Sequence, residues 1–159
     1  LPIMQAYEAR KPAYFATPPV NLIEALDASL TAILAEGMEV RFTRHARIAE
    51  VFRAAWKALG LTMLPKTEDI TAGTLSALYY PEGIDASLVG AIRDEGVVVA
   101  GGLHPDLRTR YFRVGHMGST GPREILATVG AVERALAKKG QGKHLGRGVE
   151  AAQQALAPR

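Results

Sequence analysis

Apolar residues recur at three- and four-residue intervals in three long stretches of this 159-residue chain, and between those stretches the period shortens toward two. From Val20, the residues Leu22, Leu26, Leu30 and Ile33 return at helical spacing until Gly37, which predicts an amphipathic helix stopped by that glycine. A second helix is predicted from near Met38 to Gly60. Ile48, Val51, Phe52, Ala55 and Leu59 form one stripe of it, while Arg41, Arg44, Arg47, Glu50 and Arg53 fall mostly off that stripe, so the stripe faces a core. The third long helix opens at Pro122, whose missing N–H costs nothing in a first turn, and carries Ile125, Val129, Val132 and Leu136. Lys138-Lys139-Gly140 ends it, with cations where the helix dipole favours them. A short helix over Val149 to Leu156 closes the pattern.

The shorter period marks strands. LTML at 61–64, TLSALYY at 74–80, VVVA at 97–100 and RYFRV at 110–114 read as extended segments, bounded in part by Pro65 and Pro81-Glu82-Gly83. Asp85 is placed to cap a short helix running through Ile92. The opening residues 1–19 hold Pro2, Pro12, Pro18 and Pro19 and read as an extended arm rather than one helix. The fold class expected is α+β: one small, mainly antiparallel sheet covered by helices, preceded by an extended arm and a long helix. The organisation expected is an arm over 1–19, a helix over 20–37 and the α+β domain over 38–159.

Composition narrows the function classes. A chain that is 48% hydrophobic and 22% charged can bury one core. No apolar run approaches the roughly 20 residues of a membrane helix, and the first residues lack the order of a secretory signal, so no membrane or export role is expected. The chain has no cysteine, which excludes disulfides and thiolate metal sites and fits a reducing compartment. An intracellular protein is expected. The net charge of +3 gathers near the carboxyl end in Lys138, Lys139, Lys143, His144, Arg147 and Arg159. No strand carrying stacking aromatics and no helix with an Arg/Lys face accompanies it, so nucleic acid is not an expected partner. The chain begins at Leu1 rather than methionine, which fits a piece of something longer.

Four places carry candidate chemistry. Alternation along RYFRVGHM puts Arg110, Phe112 and Val114 on one face of a strand and Tyr111 and Arg113 on the other. A guanidinium there asks for an anion, because its planar fork matches a carboxylate and an unpaired charge is costly when partly buried. The anion could be a ligand, or one of the 16 Asp and Glu residues, and a solvated sheet face also satisfies the pattern. Gly101 and Gly102 follow a strand, where they either admit a ligand or simply turn the chain. Thr17, three residues after Tyr14 and before Pro18-Pro19, sits at a helix start, either as a cap or at an anion site. His45, His104, His116 and His144 show no ligand spacing, and no metal site is expected.

Taken in order and spacing, AYFATPPVNLIEAL, RHARIAEVFRAAWKALGL and VVVAGGLHPDLRTRYFRVGHMG resemble the carboxyl-terminal part of the alanine–glyoxylate or serine–pyruvate aminotransferases, class V of the fold type I pyridoxal-phosphate enzymes. The resemblance runs from about Met4 to Lys139. It implies pyridoxal 5'-phosphate as cofactor and small amino acids and 2-oxo acids as substrates. It further implies a homodimer, in which Tyr14 and Thr17 bind the cofactor phosphate of the neighbouring subunit. It gives Arg113 the substrate α-carboxylate, and places Gly101 and Gly102 close enough to favour small side chains. Residues 1–19, 20–37 and 38–159 then correspond to an interface arm, an interdomain helix and the small domain. The lysine that carries the cofactor belongs to a large domain preceding the arm. Lys11, Lys57, Lys66, Lys138, Lys139 and Lys143 lie outside its motif, so the chain alone is expected to be inactive, with no catalytic residue of its own. The alternatives are a non-catalytic α+β dimerisation or interaction domain and a class V lyase. The compartment, whether cytoplasm, mitochondrion or peroxisome, stays open, since Leu-Ala-Pro-Arg159 is not a Ser-Lys-Leu-type address.

Overall fold

The computed structural model describes residues 2–14 and 16–158. Arg159, counted above in the basic cluster, and Phe15 of the AYFATPP stretch lie outside the described residues. The chain divides into two units, Leu1–Arg41 and Phe42–Arg159, with the division inside one helix.

The first unit holds α1 (Pro2–Glu8), α2 (Val20–Glu36) and the first turn of α3 (Met38–Ala58). Helix α1 corrects the expectation of an extended arm over 1–19. Pro2 occupies its first position, where a proline is tolerated, and no proline follows until Pro12, so among the described residues of this stretch 9–14 and 16–19 are free of helix. Helix α2 follows the predicted spacing. Gly37 ends it at φ 84°, with its N–H donating to the Ile33 carbonyl at 3.1 Å. Leu22, Leu26, Leu30 and Leu34 are exposed along α2.

The second unit is built on α3, whose Ile48, Val51, Phe52 and Ala55 are buried as the spacing predicts, with Leu59 just past its end; Trp56, outside the predicted stripe, is buried beside them. Phe52 stacks on Trp56 at 5.3 Å between ring centroids. Helix α5 (Pro122–Lys138) supplies Ile125, Val129, Val132 and Leu136 to the same core, and packs against α4 (Ser87–Asp94) and α6 (Arg147–Leu156). Glu124 reaches back to accept the Gly121 N–H at 3.0 Å, satisfying one orphan donor of the first turn. Ala86, not Asp85, occupies the cap position of α4 and makes no side-chain cap bond; Asp85 stands one residue earlier, its carboxylate accepting the Ser87 N–H at 2.9 Å. Among the described residues no helix is long and apolar enough to cross a membrane.

Three strands form an antiparallel sheet in the order β1-β3-β2, with β1 at Leu75–Tyr79, β2 at Ala100–Gly101 and β3 at Tyr111–Gly115. The register sets Ser76 opposite Val114 and Leu78 opposite Phe112; these four are buried. The α+β architecture is therefore as expected, but two strand predictions shrink. LTML contributes only a bridge, Met63 to Leu78, because Pro65 cannot donate to a ladder and the chain leaves the sheet. VVVA pairs only from Ala100. Val99 is buried in the core and Val98 is 78% exposed, so this apolar run follows α4 as packing rather than as ladder.

Candidate functional site

Arg113 lies in the middle of β3, where the register places Ala77 on one side of it and Ala100 on the other. Two methyl-sized neighbours flank it, and Arg113 is half-buried. Its Nε donates to the Gly101 carbonyl at 2.8 Å. Among the described residues no carboxylate forms a salt bridge with Arg113. The intramolecular partner that the sequence left open is thus a backbone carbonyl, which neutralises no charge.

The two glycines separate. A Cβ on Gly101 would meet nothing within 4 Å. A Cβ on Gly102 would stand 2.6 Å from Cε1 of Tyr111 and 2.8 Å from the Arg108 backbone, so only glycine lets the chain pass there. Tyr111 is buried, and its hydroxyl oxygen accepts the N–H groups of Leu103 at 2.9 Å and His104 at 3.1 Å. These donors, His104 foremost and then Leu103, lower the Tyr111 pKa below the usual tyrosine range, with the Arg113 charge adding to the effect.

His116 follows β3, its N–H donating to the Thr74 carbonyl at 2.8 Å. The imidazole is 1% exposed, stacks on Phe52 at 4.8 Å and shares a 3.1 Å hydrogen bond with the Ser76 hydroxyl. Burial pushes its pKa down to about 4, and the charges of Arg53 and His45 push the same way. Arg44, read from sequence only as lying off the apolar stripe, donates to the carbonyls of Gly118 at 3.0 Å and Thr120 at 3.4 Å. It ties the GHMG turn to α3. Nothing in the spacing of Arg44 signals that tie, because its acceptors are backbone atoms more than seventy residues away. The same holds for Tyr111, whose ring the alternation placed correctly but whose hydroxyl it could not.

In the first unit the Tyr14 and Thr17 hydroxyls lie 2.9 Å apart and are exposed. Thr17 caps nothing: Pro19 stands at the cap position of α2, without a side-chain hydrogen bond. One hydroxyl donates to the other, which leaves one O–H of the pair open to solvent. The structure therefore brings together Arg113, Gly101 and Gly102 in one unit, and Tyr14 with Thr17 in the other. A cavity of about 1120 Å³ opens between α3, the 60–71 segment and residues 154–158, and none of these five residues lines it. Among the described residues no cluster of three or more His, Asp or Glu could hold a metal ion.

No protein-family model matches the chain. Alanine–glyoxylate aminotransferase 1 of Saccharomyces cerevisiae is 41% identical over 121 residues, covering 75% of this chain and 31% of its own length. L-aspartate–glyoxylate aminotransferase of Paracoccus denitrificans is 39% identical over 140 residues, covering 87% of the chain and 35% of the relative. The crystal structure of pyridoxamine–pyruvate aminotransferase from Mesorhizobium loti superposes with a TM-score of 0.84 at 33% identity, over 92% of this chain and 38% of that one. The chain spans about a third of the length of the curated relatives it matches. Over that span it is homologous to the carboxyl-terminal part of the class V aminotransferases, the group of the alanine–glyoxylate, serine–glyoxylate and pyridoxamine–pyruvate enzymes.

Proposed function

We propose that this chain is the substrate-recognising part of a pyridoxal-phosphate transaminase that moves an amino group between alanine or serine and glyoxylate or pyruvate. One observation carries the reading. Arg113 has its Nε held by Gly101 while no described carboxylate neutralises it, so its two terminal nitrogens are left to take an anion from outside. The α-carboxylate shared by amino and 2-oxo acids has the planar geometry that this fork matches in two parallel hydrogen bonds.

The other residues fit around it. Pyridoxal phosphate, when bound, supplies the electron sink for the bond that breaks at the α-carbon. The hydroxyls of Tyr14 and Thr17 are suited to donate to phosphate oxygens, each contributing one O–H once their mutual hydrogen bond is exchanged for the phosphate. Reading them as the phosphate contacts of a neighbouring subunit makes the protein a homodimer. Arg113 fixes the carboxylate and hence the rotation of the substrate about its α-carbon, which decides which bond lies in line for reaction. Gly101, with open space where a side chain would stand, borders that position; Gly102 lets the adjoining turn close. No lysine of this chain is assigned a role in the chemistry.

The test compares Arg113→Lys with the wild type in the holoenzyme, across amino acids and the matching uncharged amines. A fork replaced by a point charge should lower kcat/KM for the amino acids by about 100-fold, near 2.7 kcal/mol of lost transition-state binding, and leave the amines nearly unchanged. An equal loss for both classes would mean that Arg113 does not read the carboxylate and would favour a different reaction.

A further inference from the structure

The orientation of Arg113 depends on a carbonyl that is itself weakly held. Strand β2 contains only Ala100 and Gly101, and the chain leaves the sheet immediately after the residue whose carbonyl receives the Arg113 Nε. Leu103 is 71% exposed, so side-chain burial does little to secure the turn that follows. Tyr111 secures it instead. Its ring lies against Gly102, and its hydroxyl oxygen accepts the Leu103 and His104 N–H groups at 2.9 and 3.1 Å. Tyr111 and Arg113 are two residues apart on β3 and therefore share a face of the sheet.

We infer that Tyr111 is a positioning residue for Arg113: its hydroxyl clamps the 103–104 turn and thereby holds the Gly101 carbonyl where it orients the guanidinium. The inference rests on the carboxylate-binding role proposed above for its functional meaning, but its structural half stands alone. The ring and the oxygen have separate duties. The ring fills the gap that only Gly102 leaves, and a phenylalanine would fill it equally. The oxygen provides two acceptor sites, one for each amide of the turn, and a phenylalanine removes both. Without them, the turn is free to swing away from the sheet edge and take the Gly101 carbonyl with it. Arg113 then keeps its charge but loses its fixed direction.

The test uses the ¹⁵N-labelled holoenzyme of which this chain is a part and follows two signals by NMR, the backbone amides of Leu103 and His104 and the side-chain Nε–H of Arg113. In Tyr111→Phe the two amides should exchange about 10-fold faster, the loss of roughly one net hydrogen bond. The slow exchange of the Arg113 Nε–H should be lost with them, and the pyruvate concentration that half-shifts the Arg113 signal should rise at least fivefold. Gly102→Ala displaces the same turn from its other side while keeping the hydroxyl, and should reproduce the Arg113 changes. It decides the matter if the phenylalanine variant does not fold. If the amides speed up but the Arg113 Nε–H and the pyruvate midpoint stay put, Tyr111 is only structural and the inference falls. If pyruvate fails to shift Arg113 in the wild type, the carboxylate reading falls. A lost Nε–H protection in Tyr111→Phe would still support the clamp.

Discussion

The buried imidazole of His116 makes stability depend on pH in a direction that can be worked out beforehand. A histidine with a folded-state pKa of about 4, against about 6.5 unfolded, binds its proton mainly in the unfolded chain at intermediate pH. Protonation therefore pulls the equilibrium toward unfolding: stability is intact above pH 6.5 and is lost as the pH falls toward 4. With that gap, linkage gives a loss of about 2 kcal/mol between pH 7 and pH 5, and still about 1.5 if the folded value lies a unit higher. The physical source is the burial of the ring against Phe52 with its 3.1 Å bond to Ser76, and the charges acting on it, Arg53 and His45, are cationic. His116→Gln is the matched comparison, because its amide reaches the position of Nε2 and can keep the Ser76 bond without titrating. Urea unfolding at pH 7 and pH 5 can be followed by Trp56, the chain's one tryptophan and fully buried. The variant should be less stable at pH 7 but should lose about 2 kcal/mol less than the wild type on acidification. Carboxylates common to both proteins cancel in this difference. Parallel losses in the two proteins would refute the reasoning.

Two further predictions concern the joint between α5 and α6, read by the same urea assay. Glu133 is buried and one of its carboxylate oxygens accepts the N–H groups of both Gly148 and Val149, at 2.6 and 3.0 Å. Glu133→Leu should cost about 2–4 kcal/mol by orphaning two donors in the first turn of α6, and Glu133→Gln about 1–2, since an amide oxygen still accepts but without charge; equal effects would show that the neutral acceptor recovers nothing and that the charge carries the contact. Gly148→Ala should cost about 1–3 kcal/mol, because its Cβ would stand 2.8 Å from Leu59 and 2.9 Å from the same Glu133 oxygen. Combined with Glu133→Gln it should fall short of additivity, since both changes break one contact; strict additivity would show that Leu59 alone takes up the methyl.

The long helices were legible because their signal is periodic and local. A face that must be buried repeats every three or four residues, so Ile48 to Leu59 and Ile125 to Leu136 announce both the element and its core side. Strands announce only a propensity, because a ladder needs a partner at the right distance. LTML and VVVA have the residues of strands, yet Pro65 and the Gly101-Gly102 pair take the chain away from its partner after a bridge or two residues. The first proline misled in the opposite sense. Pro2 argues against a helix only when it lies inside one, and here it begins α1.

The candidate site shows the same boundary at the level of single atoms. Alternation located Arg113 and demanded an acceptor, but whether that acceptor was a carboxylate, solvent or backbone depended on strand register, which a lone sequence does not carry. Register answered by placing Ala77 and Ala100 at its flanks and the Gly101 carbonyl within reach. Gly101 and Gly102 look interchangeable in sequence, yet a methyl group on the first enters open space and on the second collides with Tyr111. The contrast assigns them different work. Gly101 acts through its carbonyl, which any residue could supply, so substitution there should be read as a change in the space beside Arg113. Gly102 acts through the side chain it lacks, so substitution there should be read as displacement of the turn. An alanine scan that scored both simply as loss of a glycine pair would merge two separable effects, and the Arg113 Nε–H signal is what tells them apart.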